Sequence, residues 1–330
     1  MLSVMEHPNA SCDRTAADLI SRCPRCNGSL KVRQNQREEK DLICNGCRHS
    51  VILREGIWIA LTEDRTARYS QFITDYEMIR AAEGRGGQNA DYYLALPYKD
   101  LSGKNQAQWT IRARTYSYLA KQILPKVQAE AGVNARVLDV GAGNGWMSYR
   151  FSQMGLRPVA VDLLVNDQDG LGAAKHYQEH LQEMFPRVQA ESTRLPFASA
   201  RFDAAFFNAS FHYAESYEAT LQEALRCLRN GGTIVVADSP WYSNESSGEQ
   251  MIAERQAVFF KRFGTPSNSI RSLEFLTDER LRDLEEKLGI RWERHNPFYG
   301  FRWTMRPWIA RWNRRREPSR FQIYTARKSA

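Results

Sequence analysis

The chain predicts an α/β protein built on an open, mostly parallel sheet, with a small cysteine-rich ribbon in front of it. Three observations carry that reading. Residues 135–162, ARVLDVGAGNGWMSYRFSQMGLRPVAVD, read as a strand, a glycine turn, a helix and a second strand. Apolar strand patterns and amphipathic helices continue to alternate beyond residue 200, the signature of a sheet covered on both faces. Four cysteines near the start form two C-x2-C pairs with 17 residues between them.

The opening MLSVMEHPNASCDRT has no basic start followed by an apolar run, so it does not read as a secretory signal. Residues 1–18, with Cys12, are expected to be a disordered lead. No apolar run approaches about 18 residues, so no transmembrane segment is expected. The setting predicted from this is cytoplasmic.

Residues 19–62 follow as the ribbon. Cys23, Cys26, Cys44 and Cys47 bring two thiolates from each knuckle, which fills a tetrahedral structural zinc site and leaves no open position. Gly28 and Gly46 are expected to make the tight turns. SLKVRQ and DLICN read as strands, and SVILREGIWIAL as a hairpin around Glu55-Gly56. A ribbon this small buries little, so the metal would supply its folding free energy. Two disulfides or idle thiols are the alternatives, and a cytoplasmic setting disfavours disulfides. His49 is a competing ligand or a surface residue, and Cys227 reads as core packing.

Residues 63–128 bridge the ribbon and the main domain. YSQFITDYEMIRAAEGRGG starts helical and breaks at Gly84-Arg85-Gly86-Gly87, DYYLALPYKDLSG reads as an aromatic loop, and 105–128 as one long helix.

In the core unit, Arg136–Val140 is a buried strand, Gly141-Ala142-Gly143-Asn144-Gly145 the turn, and Trp146–Met154 a helix closed by Gly155. Pro158–Asp162 is the next strand and ends on a carboxylate. A backbone-only turn followed about 20 residues on by an acid suits a nucleoside-bearing cofactor, with the acid on the ribose hydroxyls. The pattern is G-x-G-x-G, and Trp146 stands where a dinucleotide fingerprint places its third glycine. A bulky indole there argues against a pyrophosphate.

Downstream, 216–229 reads as a helix with Leu221, Leu225 and Leu228 inward, and 238–251 as a polar loop. Residues 273–290 read as a helix capped by Thr277, with Leu281, Leu284 and Leu288 inward. RWERHNPF and RFQIYTARK are the last two strands, separated by an insertion at 297–318. There, Pro307 suits a first helical turn, and Met305, Trp308, Ile309 and Trp312 share a face. Residues 302–328 hold eight Arg and one Lys against the single acid Glu317, which is the entire net charge of +8. A Trp-rich face ringed by Arg fits an anionic membrane surface, contacted through 303–316. It also fits a nucleic-acid grip. The third and favoured expectation is a cap on the sheet that buries its Trp and leaves its Arg in water.

VLDVGAGNG resembles the first motif of the class I S-adenosylmethionine (SAM) dependent methyltransferases, of the type 11-like kind. AESTRLPF (190–197), FDAAFFNASFHY (202–213) and ALRCLRNGGTIVVAD (224–238) resemble the family's later motifs in the same order. The resemblance covers roughly residues 105–330 and implies a Rossmann-like sheet of seven strands with the last one antiparallel. It implies a helical lid over 63–128 and a SAM-dependent methyltransferase domain over 129–330. It further implies that Asp139 orients the glycine loop and the methionine ammonium, that the backbone of Gly141, Gly143 and Gly145 passes beneath the methionine portion, and that Asn144 in the same turn is cofactor-binding. Asp162 would accept the ribose hydroxyls and Leu163 pack on the adenine. Glu191, where the family usually has Asp, or Ser192 would meet the adenine amino group, and Asn208 would lie beside the sulfonium. Arg112 and Arg114 could pair with the cofactor carboxylate or simply form a solvated face. Tyr76, Tyr92, Tyr93 and Trp109 could line a substrate pocket or glue the lid to the core.

Methyl transfer needs alignment, exclusion of water and, for a hydroxyl acceptor, a base. His212 is the first candidate for that base, with Tyr213 and Tyr242 behind it. The leading expectation is methyl transfer to a small-molecule or lipid-like acceptor. RNA methylation, gripped by the ribbon and Arg314, Arg315 and Arg316, is the alternative. A non-catalytic SAM-binding scaffold is a further one. The ribbon itself resembles both the small zinc-ribbon activators of RNA and protein methyltransferases and the zinc module of rRNA guanine methyltransferases.

Overall fold

One sheet runs through the molecule. The computed structural model describes residues 17–34, 40–87 and 89–329. Residues 1–16 of the expected lead, Cys12 among them, lie outside the described residues. Leu19 and Ile20, just beyond it, are already buried in the core.

The strands are β1 (Leu30–Gln34), β2 (Lys40–Cys44), β3 (Ser50–Arg54), β4 (Ile57–Ile59), β5 (Arg136–Val140) and β6 (Arg157–Asp162). Then come β7 (Arg187–Gln189), β8 (Phe202–Asn208), β9 (Leu228–Ala237), β10 (Trp292–His295) and β11 (Ile323–Arg327). Their order across the sheet is β1-β2-β3-β4-β7-β6-β5-β8-β9-β11-β10. The seven strands from β7 to β10 are the expected Rossmann-like sheet: β7, β6, β5, β8 and β9 run parallel, and β11 is antiparallel to both its neighbours. Alternate residues of β5 enter opposite cores, Leu138 and Val140 on one face and Val137 on the other.

The four extra strands are the ribbon. It does not stand apart. β4 pairs in parallel with β7, Trp58 opposite Val188, and Trp58 is fully buried. Cys23 and Cys44 belong to the same core cluster as Val188 and Phe197. A ribbon with too little core of its own thus borrows that of the larger domain, and the short edge strand β7 is covered rather than left open. Glu55 and Gly56 both have positive φ, as a two-residue hairpin turn requires.

The helices are α1 (Glu63–Ala82), α2 (Ala90–Ala95), α3 (Gln106–Tyr118), α4 (Leu124–Ala131), α5 (Trp146–Gln153), α6 (Tyr217–Cys227), α7 (Glu245–Phe263), α8 (Asp278–Leu288), α9 (Phe301–Thr304) and α10 (Arg306–Trp312). Three differ from expectation. The aromatic loop contains α2, capped by the Asn89 side chain. The long helix at 105–128 is divided by a π-turn over Leu119–Ile123, where Pro125 lacks the N–H to continue the ladder. The polar loop after β9 turns into α7 because Asn244 Oδ1 accepts the Ser247 N–H at 2.9 Å. No described helix is long and apolar enough to cross a membrane.

Candidate active site and metal centre

β5, β6, β7, β8 and β9 all end at one edge of the sheet, and a cavity of about 480 Å³ opens there. This is the crevice where open parallel sheets bind ligands. Its floor is the glycine turn. Gly141 and Ala142 both donate to the Val161 carbonyl, at 2.8 and 3.0 Å, which folds the turn back onto β6. Gly141 has φ +76°, and a Cβ on it would collide with the Ser210 side chain. Asp162 ties the floor together, accepting from Gly143 N at 2.7 Å and Leu164 N at 2.8 Å. Burial pushes its carboxyl up against the pull of those two N–H groups. Asp139 accepts from Ser148 Oγ at 2.8 Å, and burial pushes it up to about 7. Asn144 Oδ1 takes the Trp146 N–H at 3.2 Å, and Trp146 packs edge-on against Trp109 and Tyr116.

The roof is α1. Arg65, Arg68, Tyr69, Phe72, Tyr76 and Arg80 recur at helical spacing and all line the cavity. Three loops hold this face down. Arg65 forks onto Glu191, Nε–Oε1 2.9 Å and Nη2–Oε2 2.5 Å, and Tyr69 adds a bond of 2.9 Å to Oε2. Arg80 Nε lies 2.8 Å from Asp169, and Arg68 reaches Glu215 at 2.6 Å. Phe72, Tyr76 and Tyr213 form an aromatic wall in which Tyr213 meets the other two rings edge-on.

Of the predicted cofactor residues, Asp139, Gly141, Gly143, Asn144, Asp162, Leu163, Glu191, Ser192 and Asn208 all meet this cavity. Gly145 does not: it packs under the domain, where a Cβ would stand 3.0 Å from Phe185. Glu191 also has partners that the sequence did not reveal: Arg65, Tyr69 and Thr193 donate to its oxygens. It clamps the roof at the cavity wall. Arg112 lines the cavity with no ion pair among the described residues, and burial together with Arg85 and Arg80 pulls its guanidinium down to about 10. Arg114 packs against Gly300, away from the cavity. Asn208 Oδ1 is buried with no partner.

Among the candidate bases the structure brings only Tyr213 to the cavity. His212 points its Nδ1 at Ser239 Oγ, 3.4 Å away. Burial and the nearby Arg255, Arg112 and Arg80 pull its imidazole down to about 3, too weak for a base at neutral pH. Tyr242 is buried against Phe275 beside Arg316, away from the cavity. Tyr93 packs against the 3₁₀ turns at 171–180, Tyr92 packs edge-on against Tyr93, and Trp109 is core; Tyr76 alone of the four aromatics lines the cavity. The roof residues Arg65 and Tyr69 escaped the sequence reading. The signal that could have found them is the 65-69-72-76-80 spacing on one helical face.

Cys23, Cys26, Cys44 and Cys47 form the candidate metal centre. Their sulfurs all lie within 4.8 Å of one another, with Cys23–Cys47 at 3.6 Å and Cys26–Cys44 at 3.4 Å. Four sulfurs about 2.3 Å from one tetrahedral ion stand about 3.8 Å apart, so the set fits zinc. None is in a disulfide, and His49 is outside the cluster. The knuckles turn on Asn27 and Arg48, both at positive φ, rather than on the glycines. Gly28 serves a different purpose: a Cβ there would press on the sulfurs of Cys26 and Cys44 at 3.3 Å. The Cys47 N–H aimed at Cys44 Sγ, at 3.5 Å, is the main reason that thiol is held down to about 6.

Comparisons with known proteins agree with this geometry. Residues 138–236 match the family described as a methyltransferase domain. Malonyl-(acyl-carrier protein) O-methyltransferase of Enterobacter lignolyticus is 35% identical over 112 residues, 32% of this chain and 41% of that protein. Demethylmenaquinone methyltransferase of Beutenbergia cavernae is 28% identical over 163 residues, 47% of this chain and 61% of that protein. The chain thus spans about half the length of the curated relatives it matches. Among solved structures, a Burkholderia thailandensis 1,6-didemethyltoxoflavin-N1-methyltransferase with bound S-adenosylhomocysteine aligns over 91% of this chain and 100% of that one, at 18% identity and TM-score 0.47. The likeness to a methyltransferase domain is thus carried by residues 138–236, which hold the glycine turn, Asp162, Glu191 and Asn208.

Proposed function

We propose that this protein transfers a methyl group from SAM to a small-molecule or lipid-like acceptor. The observation that carries it is the convergence of the glycine turn, Asp162 and the unpartnered Asn208 on one cavity roofed by aromatic rings. When bound, SAM supplies an electrophilic methyl group on a sulfonium. Asp162 retains lone pairs for two ribose hydroxyls beyond its two backbone bonds. Asp139 holds the turn and offers negative charge to an ammonium. Arg112 offers a cation to a carboxylate. Leu163 offers an apolar face to a purine, and Ser192 a hydroxyl beside it. Phe72, Tyr76 and Tyr213 exclude water and favour a flat or apolar acceptor. Tyr213, at the cavity wall, would hydrogen-bond the acceptor and relay its proton.

The names of the relatives support this acceptor class: one acts on malonyl-acyl-carrier protein and another on demethylmenaquinone. No observation favours RNA in the cavity. Cys23, Cys26, Cys44 and Cys47 hold a structural zinc ion, in a ribbon over 19–62 that precedes the lid at 63–128 and the methyltransferase domain at 129–330.

The test is methyl transfer from tritiated SAM into a fractionated cell extract, with Asp162→Ala as control. Counts are expected in the small-molecule or lipid fraction and absent with the variant. Counts that follow nucleic acid and vanish with ribonuclease would overturn the acceptor class. Unchanged SAM affinity in Asp162→Ala would remove the cofactor assignment.

A further inference from the structure

The insertion at 297–318 does not cap the sheet as the sequence suggested. Its inward side is Trp303, Arg306, Pro307 and Ala310, with Trp303 stacked on Phe321 at 5.4 Å and Arg306 lying 3.8 Å over the Trp303 ring. The other side of α9 and α10 is apolar and faces solvent. Phe301 is 82% exposed, Trp308 69% and Trp312 88%, with Met305 and Ile309 about half exposed between them. These five recur at three- and four-residue spacing and form one ridge.

Charge identifies what covers it. Arg302, Arg311, Arg314 and Arg315 flank the ridge, all exposed, and none pairs with an acid among the described residues. Elsewhere in the chain the arginines are widely paired, Arg316 with Glu254 and Arg320 with Glu317 for example. A protruding ridge of Trp, Phe, Ile and Met bordered by free guanidinium groups matches a lipid surface, where rings enter the acyl boundary and Arg meets headgroup phosphates. A nucleic-acid site would instead set its rings within a basic groove that tracks a strand. Beside the ridge lies a groove of about 720 Å³ lined in part by Trp303, Trp308, Phe321, Arg311 and Arg315, with Glu317 also in its wall.

Topology places the ridge at the catalytic edge. β9 is antiparallel to β11, and β11 to β10, so β10 runs parallel to β9 and ends at the same edge. The insertion leaves from there. We propose that 298–315 is an interfacial anchor for anionic lipid bilayers, which sets the cavity-bearing edge of the sheet toward the membrane. The orientation rests on the methyltransferase reading; the membrane contact itself does not.

The test is sedimentation of the full chain with vesicles of phosphatidylcholine alone and of equal parts phosphatidylcholine and phosphatidylglycerol, without SAM. Binding to the anionic vesicles is expected, weakening as salt rises. The double variant Trp308→Ser/Trp312→Ser should lose about tenfold or more in partitioning, as should replacement of Arg302, Arg311, Arg314 and Arg315 by Gln. Both variants change only exposed side chains, so their thermal melts should match the parent. Equal sedimentation with and without anionic vesicles overturns the proposal. So does tight, salt-dependent RNA binding by a chain that ignores vesicles. A dimer that the Trp variant converts to monomer, again without vesicle binding, assigns the ridge to a second copy. Because no cofactor is present, failure here leaves the methyl-transfer reading intact, and the reverse also holds.

Discussion

The floor and the roof of the cavity are built on different principles. The floor is local: β5, its turn, α5 and β6 are consecutive in the chain, and backbone N–H groups bonded to Val161 and Asp162 hold the turn in shape. The roof is remote. α1 reaches the floor through Arg65 to Glu191, partners 126 residues apart, and it enters directly from β4 of the ribbon. A floor of this kind survives on its own turn chemistry. A roof of this kind depends on whatever fixes both of its ends.

That difference can be broken at the metal. Only one intact hairpin separates the cysteine cluster from the β4–β7 seam, and Trp58 is buried at that seam. Undocking one fully buried Trp costs about 3 kcal/mol, or roughly 100-fold in an equilibrium. Chelating the metal, or replacing Cys23 and Cys26 by Ser, should therefore weaken SAM binding by as much as about 100-fold. The far-UV signal of the remaining sheet should persist. The readout is SAM titration by calorimetry alongside release of metal to a chromophoric chelator. Undiminished SAM binding by metal-free protein would show that the roof needs no ribbon.

A smaller effect is expected at the clamp itself. Glu191→Gln keeps the shape and removes the charge that Arg65 and Tyr69 share, and a charge-assisted bond of this kind is worth about 2 kcal/mol. Loss of about tenfold in SAM affinity should accompany a lower melting temperature. Arg65→Ala separates clamp from ligand contact. If Glu191 met the adenine, freeing it from Arg65 would tighten binding. As a clamp, Arg65→Ala weakens binding as Glu191→Gln does, and the double variant is no worse than either.

The same contrast explains what could be read from the sequence. The turn, Asp162, Asn208 and the four cysteines were legible because their chemistry sits in short contiguous strings. A seven-stranded sheet with its last strand antiparallel followed from the family motifs. The clamp at Glu191 was not legible because its partner lies in α1, and nothing in AESTRLPF reveals that Arg65 pairs with it. β7 has only three residues, too few to show a period, yet it is where the ribbon joins the sheet. The ridge at 301–312 was read with its apolar face inward, since periodicity marks an apolar face without saying which solvent it meets. Gly28 and Gly46 were assigned the knuckle turns on residue type, whereas Asn27 and Arg48 adopt the left-handed conformation.

The smallest expected effect concerns protons at the floor. Asp139 is fully buried, and burial pushes it up to about 7 against the pull of hydrogen bonds from the Ser148 side chain and backbone. Its folded value lies above that of the unfolded chain, near 3.8. Between those values the free protein holds a proton that the unfolded chain has lost, so this group's contribution to stability falls as pH rises from about 4 to 7. A cofactor bearing an ammonium beside it favours the charged carboxylate, so binding releases that proton. Affinity for SAM should then drop about fivefold between pH 7 and pH 6, and Asp139→Asn should remove the dependence. Calorimetry in buffers of different ionisation enthalpy would count the proton released. His212 supplies the control. Held down to about 3, it stays neutral across this range, so His212→Gln should leave the pH limb where it is. A limb that moves with His212 and ignores Asp139 would transfer the titration from the floor to the loop after β8, and would return His212 to candidacy as the base.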